Sequence, residues 1–152
     1  MSAIERAVEL AEPIARHFEG FSATPYKCPA GVWTIGFGTT WLLDGTPVTA
    51  TTKPVDKDQA AAMLRVGLTS AAVSALKLAP ILAGYPEALA AVADFIYNLG
   101  AGRFRSSTFR TRLIEQDWAQ AAIEIVRWCR ASGQELRGLL LRRMMERDLL
   151  PV

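Results

Sequence analysis

The sequence is short of the residues from which metal sites and disulfide frameworks are built, with two cysteines and one histidine in 152 residues. Cys28 and Cys129 stand far apart and His17 is alone, whereas a zinc site needs about three or four ligands at close spacing. No metal site is expected, and a chain made in a reducing cytosol is expected to keep both thiols free. Long apolar runs are missing as well. Charge or glycine interrupts each of them well before about 18 residues, so no membrane-spanning helix is legible and no stable membrane insertion is expected. Residues 1–18 carry Glu5, Arg6, Glu9, Glu12 and Arg16, which leaves no room for the apolar core of a secretory signal. The chain also lacks a strong charge of either sign, at a net +2.

That small charge is unevenly spread. Up to residue 102, seven Lys/Arg stand against nine Asp/Glu, a balance of −2; the remainder has ten against six, a balance of +4. A mildly basic C-terminal half suits an anionic partner such as a cell wall, a nucleic acid or a membrane surface, or is simply a solvated face laced with Arg and Glu. At 51% hydrophobic and 21% charged residues the composition is that of a folded globular chain. The length predicts one domain over 1–152, with enough core to stand without staples.

Apolar residues at Ile4, Ala7, Val8, Ala11, Ile14, Ala15 and Phe18 recur at helical spacing, predicting an amphipathic helix over about 2–18 that Pro13 should kink or divide. From about 20 to 54 the chain turns to Gly, Pro and Thr with short apolar runs, such as Val32-Trp33-Thr34-Ile35. Turns at Pro29-Ala30-Gly31 and Asp44-Gly45 divide this stretch into a meander of two or three short strands. Asp56 followed by Gln59 resembles a capping box and opens a long helix running to about Ala79, where Pro80 stops it. Pro86 can start the next helix, whose stripe of Leu89, Val92, Phe95, Ile96 and Leu99 ends at Gly100. Ser106-Ser107 and Asp117 are candidate caps for helices over about 107–115 and 117–130. Ser132-Gly133 breaks the second, and 135–150 is helical again. The plan is α+β, with a small antiparallel sheet lobe at about 20–54 inserted into a helical lobe at about 2–18 and 56–150.

An acid closing the first helix and two polar side chains from the small sheet, Glu19, Cys28 and Thr34, are the candidates for chemistry, with a cleft between the lobes to join them. Glycoside hydrolysis needs a carboxylic acid to protonate the leaving oxygen and a second group to manage water or the sugar cation. Taken alone these residues have ordinary readings: a solvated acid, a small buried hydrophobe and a strand threonine.

The stretches His17-Phe18-Glu19-Gly20-Phe21, Tyr26-Lys27-Cys28 and Trp33-Thr34-Ile35-Gly36-Phe37-Gly38-Thr39 resemble the active-site region of phage endolysins of glycoside hydrolase family 24. In that family a Glu is followed after eight residues by Asp or Cys and after five more by Thr, the spacing of Glu19, Cys28 and Thr34. The resemblance continues through Phe95 to Gly100, Phe104 to Phe109, and Trp128 to Glu146. It implies a lysozyme-like fold and a cofactor-free muramidase that cuts the bond between N-acetylmuramic acid and N-acetylglucosamine in bacterial peptidoglycan and so lyses the host. Glu19 is then the general acid, and Thr34 helps hold the attacking water. Many members carry Asp at the position of Cys28. A thiol with an ordinary pKa of about 8.5, next to a carboxylate, is mostly protonated at neutral pH. Cys28 is left to orient water, act as a thiolate base with inversion, or attack the anomeric carbon with retention.

Around this centre Tyr26, Trp33, Phe37 and Trp41 either line a sugar groove or pack in the core. Asn98 either braces the active-site wall or makes a structural hydrogen bond. Arg142 and Arg143 either supply a cation to Glu19 or the substrate, or Arg142 pairs with Glu146 one turn on. The resemblance also implies a monomer with peptidoglycan and no nucleic acid as partner, made in the host cytoplasm and passing a holin-type pore to reach the wall from the periplasm. Two other readings compete: a peptidoglycan-binding descendant without turnover, and a cysteine hydrolase built on Cys28 and His17.

Overall fold

The computed structural model describes residues 1–152. It is α+β: seven helices and two separate two-stranded antiparallel sheets. Two compact units are distinguished, one formed by Ala15–Gly67 and the other by Met1–Ile14 with Leu68–Val152.

Helix α1 spans Ala3–Glu19. Its start is a reciprocal cap, in which the Glu5 amide donates to Ser2 Oγ at 3.1 Å and the Ser2 amide donates to the Glu5 carboxylate at 2.6 Å. Pro13 sits inside α1 and does not divide it, so of the two outcomes expected, a kink or a division, division does not occur. Proline costs a helix one N–H donor, here toward the Glu9 carbonyl. Both residues lie on the exposed face, where water can serve that carbonyl.

The Ala15–Gly67 unit holds the first hairpin, β1 (Ser22–Lys27) and β2 (Trp33–Gly36). Tyr26 is paired with Thr34 and Lys27 with Trp33, and the register slips between Ser22 and Tyr26. Pro25 lies in that irregular stretch, where a residue without an N–H costs no ladder bond. The expected meander of two or three strands is thus two strands. After β2 the backbone reverses at once, with Ile35 and Thr39 exchanging both backbone bonds at 2.9 Å. Gly36 and Gly38, at φ +65° and +80°, permit this reversal. Ile35, Val48 and Met63 form the unit's buried core, with Trp33, Leu42 and Val55 packed against it.

Helix α2 (Lys57–Leu78) begins at the capping box read from sequence. The Gln59 amide donates to Asp56 at 2.7 Å, and the Asp56 amide donates to Gln59 at 2.9 Å. Over 22 residues α2 is long and apolar enough to match a membrane span, which the sequence was not expected to contain. Its Ala60, Leu64, Leu68, Ala72 and Ala75 are fully buried, so an alanine-rich face serves the protein core, with Arg65 on the exposed side.

In the other unit, a 3₁₀ turn at Pro80–Gly84 leads into α3 (Pro86–Leu99), buried continuously from Ala88 to Ile96. Helices α4 (Ala101–Arg105), α5 (Thr108–Ile114) and α6 (Trp118–Val126) follow. Ser107 and Asp117 cap α5 and α6 by accepting from the amides of Arg110 and Gln120. Phe95 is the hub of the core, with ring centroids at 6.2 Å from Phe104, 5.4 Å from Phe109 and 5.6 Å from Trp128.

The chain leaves α6 earlier than expected. It forms a tight hairpin, β3 (Arg130–Ala131) and β4 (Gln134–Glu135), before α7 (Arg137–Arg147). Ser132 and Gly133 both take positive φ, at 51° and 76°, the twist a two-residue hairpin demands. The Ser-Gly pair was read as a helix break; it is the turn of a strand pair.

Candidate active site

Glu19 is the last residue of α1, half-buried, and Gly20 at φ +68° turns the chain away behind it. Its carboxyl group lies against the backbone of Gly38. A Cβ built on Gly38 would meet Glu19 Oε2 at 2.5 Å and Cδ at 2.8 Å. The second glycine of Gly36-Phe37-Gly38 therefore does two things, taking φ +80° and leaving the space the carboxyl occupies.

Cys28 opens the turn between β1 and β2. The Cys28 amide donates to the Val32 carbonyl at 2.9 Å, and the Gly31 amide donates to the Cys28 carbonyl at 2.8 Å. This tight turn brings the Val32 amide chiefly, and those of Ala30 and Gly31, to face the sulfur. They hold the thiol below its ordinary pKa despite some desolvation, with a further contribution from the Thr34 hydroxyl. The shift runs opposite to the one expected from a neighbouring carboxylate, because fixed amide dipoles favour the thiolate. Cys28 is half-exposed and Cys129 buried, and both are free thiols.

Thr34 is buried opposite Tyr26 in the hairpin, and its hydroxyl donates to the Val32 carbonyl at 3.0 Å. A hydroxyl has one proton, so this bond alternates with the one that favours the Cys28 thiolate, and oxygen lone pairs are left to accept. Tyr26 ties the group together electrically. Desolvation first, then the charges of Glu19 and Cys28, raise its phenol above the ordinary value. One hairpin and one helix end thus bring Glu19, Tyr26, Cys28 and Thr34 into mutual influence.

The other aromatic candidates divide. Trp33 is half-buried against the Ile35 core, with the Lys27 ammonium 5.5 Å from its ring. Phe37 is buried, 5.5 Å from the Phe21 ring and 4.8 Å from the Arg16 guanidinium carbon. Trp41 is 62% exposed, too open to be explained by packing. His17 is exposed and meets the Phe18 ring edge-on at 4.8 Å, while the groups facing the Cys28 sulfur are amides and a hydroxyl.

Asn98 and Arg142 lie in the other unit, at a buried polar cluster between α3 and α7. Arg142 grips Asp94 with two parallel bonds, Nε to Oδ2 at 2.9 Å and Nη2 to Oδ1 at 2.8 Å. Glu146, its expected partner one turn on, is paired with Arg143 instead, and Arg142 is 2% exposed. Burial alone would push the Asp94 carboxyl up, but Arg142 outweighs it and the group is held below the usual range. Arg143 donates from Nη2 to Asn98 Oδ1 at 2.8 Å and to Glu146 Oε1 at 2.9 Å. Its Nε also lies 2.8 Å from Glu146 Oε2, an ion-pair separation without hydrogen-bond alignment. Burial, then the adjacent Asp94, raises Glu146 well above the usual carboxylate range, with both arginines opposing the rise. Sequence reasoning passed over Asp94; the signal was one acid inside the apolar run Leu89 to Ile96.

Comparison with known proteins bears on the family and the fold. The phage lysozyme family matches residues 16–146. The chain is 35% identical over 135 residues to a SAR-endolysin of Enterobacteria phage P21, covering 86% of this chain and 76% of that protein. It is 30% identical over 142 residues to an endolysin of Acyrthosiphon pisum secondary endosymbiont phage 1, covering 90% and 91%. Among solved structures, an endolysin from Escherichia coli O157:H7 phage FAHEc1 superimposes with a TM-score of 0.76 at 26% identity, over 92% of this chain and 89% of that one. The pairing of a helix-terminal glutamate with a Cys-turn-Thr hairpin, the α+β plan around it and this breadth of likeness converge, and the chain belongs to the phage lysozyme family.

Proposed function

We propose that the chain is a muramidase that hydrolyses the β-1,4 bond between N-acetylmuramic acid and N-acetylglucosamine in bacterial peptidoglycan, with Glu19 as general acid. The observation that carries this reading is the Glu19 carboxyl packed against Gly38, in the unit that also holds the Cys28–Thr34 hairpin. Glu19 gives its proton to the glycosidic oxygen as the bond to the anomeric carbon breaks. The Thr34 oxygen accepts a hydrogen bond from the attacking water and orients it. The Cys28 thiolate, favoured by the amides of its turn, takes the proton that the water sheds. Acid and base then act on opposite faces of the sugar, which gives inversion at the anomeric carbon. Tyr26 and the exposed Trp41 supply apolar faces for sugar rings; Trp33 and Phe37 hold the hairpin that carries the site.

The test is release of reducing sugar from purified peptidoglycan by the wild-type protein, Glu19→Gln and Cys28→Ser, side by side. Wild-type release abolished in Glu19→Gln is the expected result, with the residual rate of Cys28→Ser measuring the thiol's share. Binding of the glycan with no release by wild type would overturn the enzyme reading in favour of a binding descendant. A cysteine hydrolase has no support in the groups facing the sulfur.

A further inference from the structure

Two non-glycine residues take positive φ, and one of them, Ser132, is accounted for by the turn between β3 and β4. The other is Gln116, at φ 56°. It closes α5: the Gln116 amide donates to the Leu113 carbonyl at 3.0 Å and the Asp117 amide to the Arg112 carbonyl at 2.9 Å. A helix that ends on this pair of bonds ordinarily has glycine at the left-handed residue, because a Cβ is strained there. Glutamine in that place costs stability, and glycine would make the same backbone bonds without the strain.

The Gln116 side chain reaches an aromatic pair. Tyr85 Oη donates to Gln116 Oε1 at 3.3 Å, and the Tyr85 ring meets the Trp118 ring at 4.8 Å, tilted by 55°. Tyr85 stands where the 3₁₀ turn passes into α3, that turn packs on α5, and Trp118 is the first residue of α6. All three residues belong to the unit of Met1–Ile14 and Leu68–Val152. Both rings are half-buried and Gln116 is exposed. At 3.3 Å the bond is long for O–H···O. In an exposed position it adds little to stability, so holding the fold does not account for the strained glutamine.

We infer that Tyr85, Gln116 and Trp118 form a second glycan-binding site, which takes a chain of β-linked N-acetylhexosamines and lies in the unit that does not hold Glu19. A pyranose ring has an apolar C–H face for an aromatic ring to cover. Its rim of hydroxyl and acetamido groups suits a phenol and a side-chain amide, which each donate and accept. Charge argues for the same class of ligand. Of the charged residues flanking Gln116, Arg112 and Glu115 pair at 3.0 Å and Asp117 caps α6, so this stretch offers no spare cation to a nucleic acid or an anionic lipid. The site goes beyond the muramidase reading and does not depend on it, since a peptidoglycan-binding protein without turnover would use it equally.

The experiment titrates isotope-labelled full-length Glu19→Gln protein with the tetramer of β-1,4-linked N-acetylglucosamine and follows the Trp118 indole and Gln116 side-chain amide signals by NMR. Saturable shifts of both are expected. The dissociation constant read from the Trp118 signal rises about fivefold when Tyr85→Phe removes one hydrogen-bonding group. Gln116→Gly removes the amide and relieves the strained φ, so binding weakens by a similar factor while the thermal midpoint rises by about 2–4 °C. A purely structural role gives the opposite pair, a lower midpoint in Gln116→Gly with binding at Trp118 unchanged, and overturns the inference. Trp118 signals that stay in place, or whose shifts neither variant weakens, overturn it too. Shifts confined to the Ala15–Gly67 unit overturn it and leave the muramidase reading in place. Shifts at Trp118 in a protein whose wild type releases no reducing sugar overturn the muramidase reading alone.

Discussion

The Gly38 backbone and the Glu19 carboxyl occupy adjoining space: a single added carbon on Gly38 would stand 2.5 Å from Glu19 Oε2. No conformational adjustment of Gly38 is free, because its φ of +80° is one that side chains rarely adopt. Gly38→Ala is therefore expected to displace the acid that the chemistry depends on. The backbone term alone costs roughly 1 kcal/mol of stability, a loss a folded protein of this size survives. Misplacing a catalytic group by about 1 Å can cost about 100-fold in rate. A loss of kcat of that order, in a variant whose thermal midpoint falls only a few degrees, is the expected outcome. Unchanged activity would show that Glu19 works from another rotamer.

The Cys28 thiol sits below its ordinary pKa because the Val32 amide and its neighbours face the sulfur. Depression of the pKa means that the thiolate persists to lower pH than in a free cysteine. Alkylation by iodoacetamide, followed against pH in a Cys129→Ser background, should show a midpoint below the ordinary thiol value of about 8.5. A midpoint at or above the ordinary value would show that the amides of the turn do not favour the thiolate.

Between α3 and α7, Arg142 and Asp94 are each almost fully buried and joined by two hydrogen bonds. Removing one partner strands the other charge. Arg142→Met should cost about 3–5 kcal/mol. Removing both charges, as Arg142→Met with Asp94→Leu, should recover most of that loss, because two apolar side chains pay no desolvation. Denaturant titration of wild type, single and double variants measures the coupling. If the double variant is no more stable than Arg142→Met, the pair is not an isolated unit, and Arg143 and Glu146 carry the remainder.

Much of the helical framework was legible because it is written in local chemistry. The Asp56–Gln59 cap, the Ser107 and Asp117 caps and the Pro86 start each act within three or four residues of the helix they begin. Their function does not depend on distant parts of the chain. Pro13 does not divide α1 because the cost of a proline depends on burial. On an exposed face the lost bond is replaced by water, and the helix continues through it. The hairpin at Ser132-Gly133 was missed for a related reason, since two-residue strands contain too few residues to show alternation.

The candidate site was legible in part. Glu19, Cys28 and Thr34 carry the family spacing in the sequence itself. The direction of the Cys28 titration was not legible, because it depends on amides that only the closed turn aims at the sulfur. The aromatics could not be sorted from sequence either. Phe37 and Trp41 have the same residue class and similar neighbours, yet one is buried and the other is 62% exposed.

What the sequence by itself determined is the order of the main helices and of the first hairpin, and the family, because caps, periodicity and motif spacing act over short stretches of chain. The tertiary structure alone decided where charges pair and which backbone groups crowd them. Arg142 is 48 residues from Asp94 and Arg143 is 45 from Asn98, and Gly38 reaches Glu19 only because the hairpin folds back on the end of α1. Such contacts have no local signature. They are chosen by burial, where an unpaired charge or an orphaned amide is costly enough for the whole fold to select its partner.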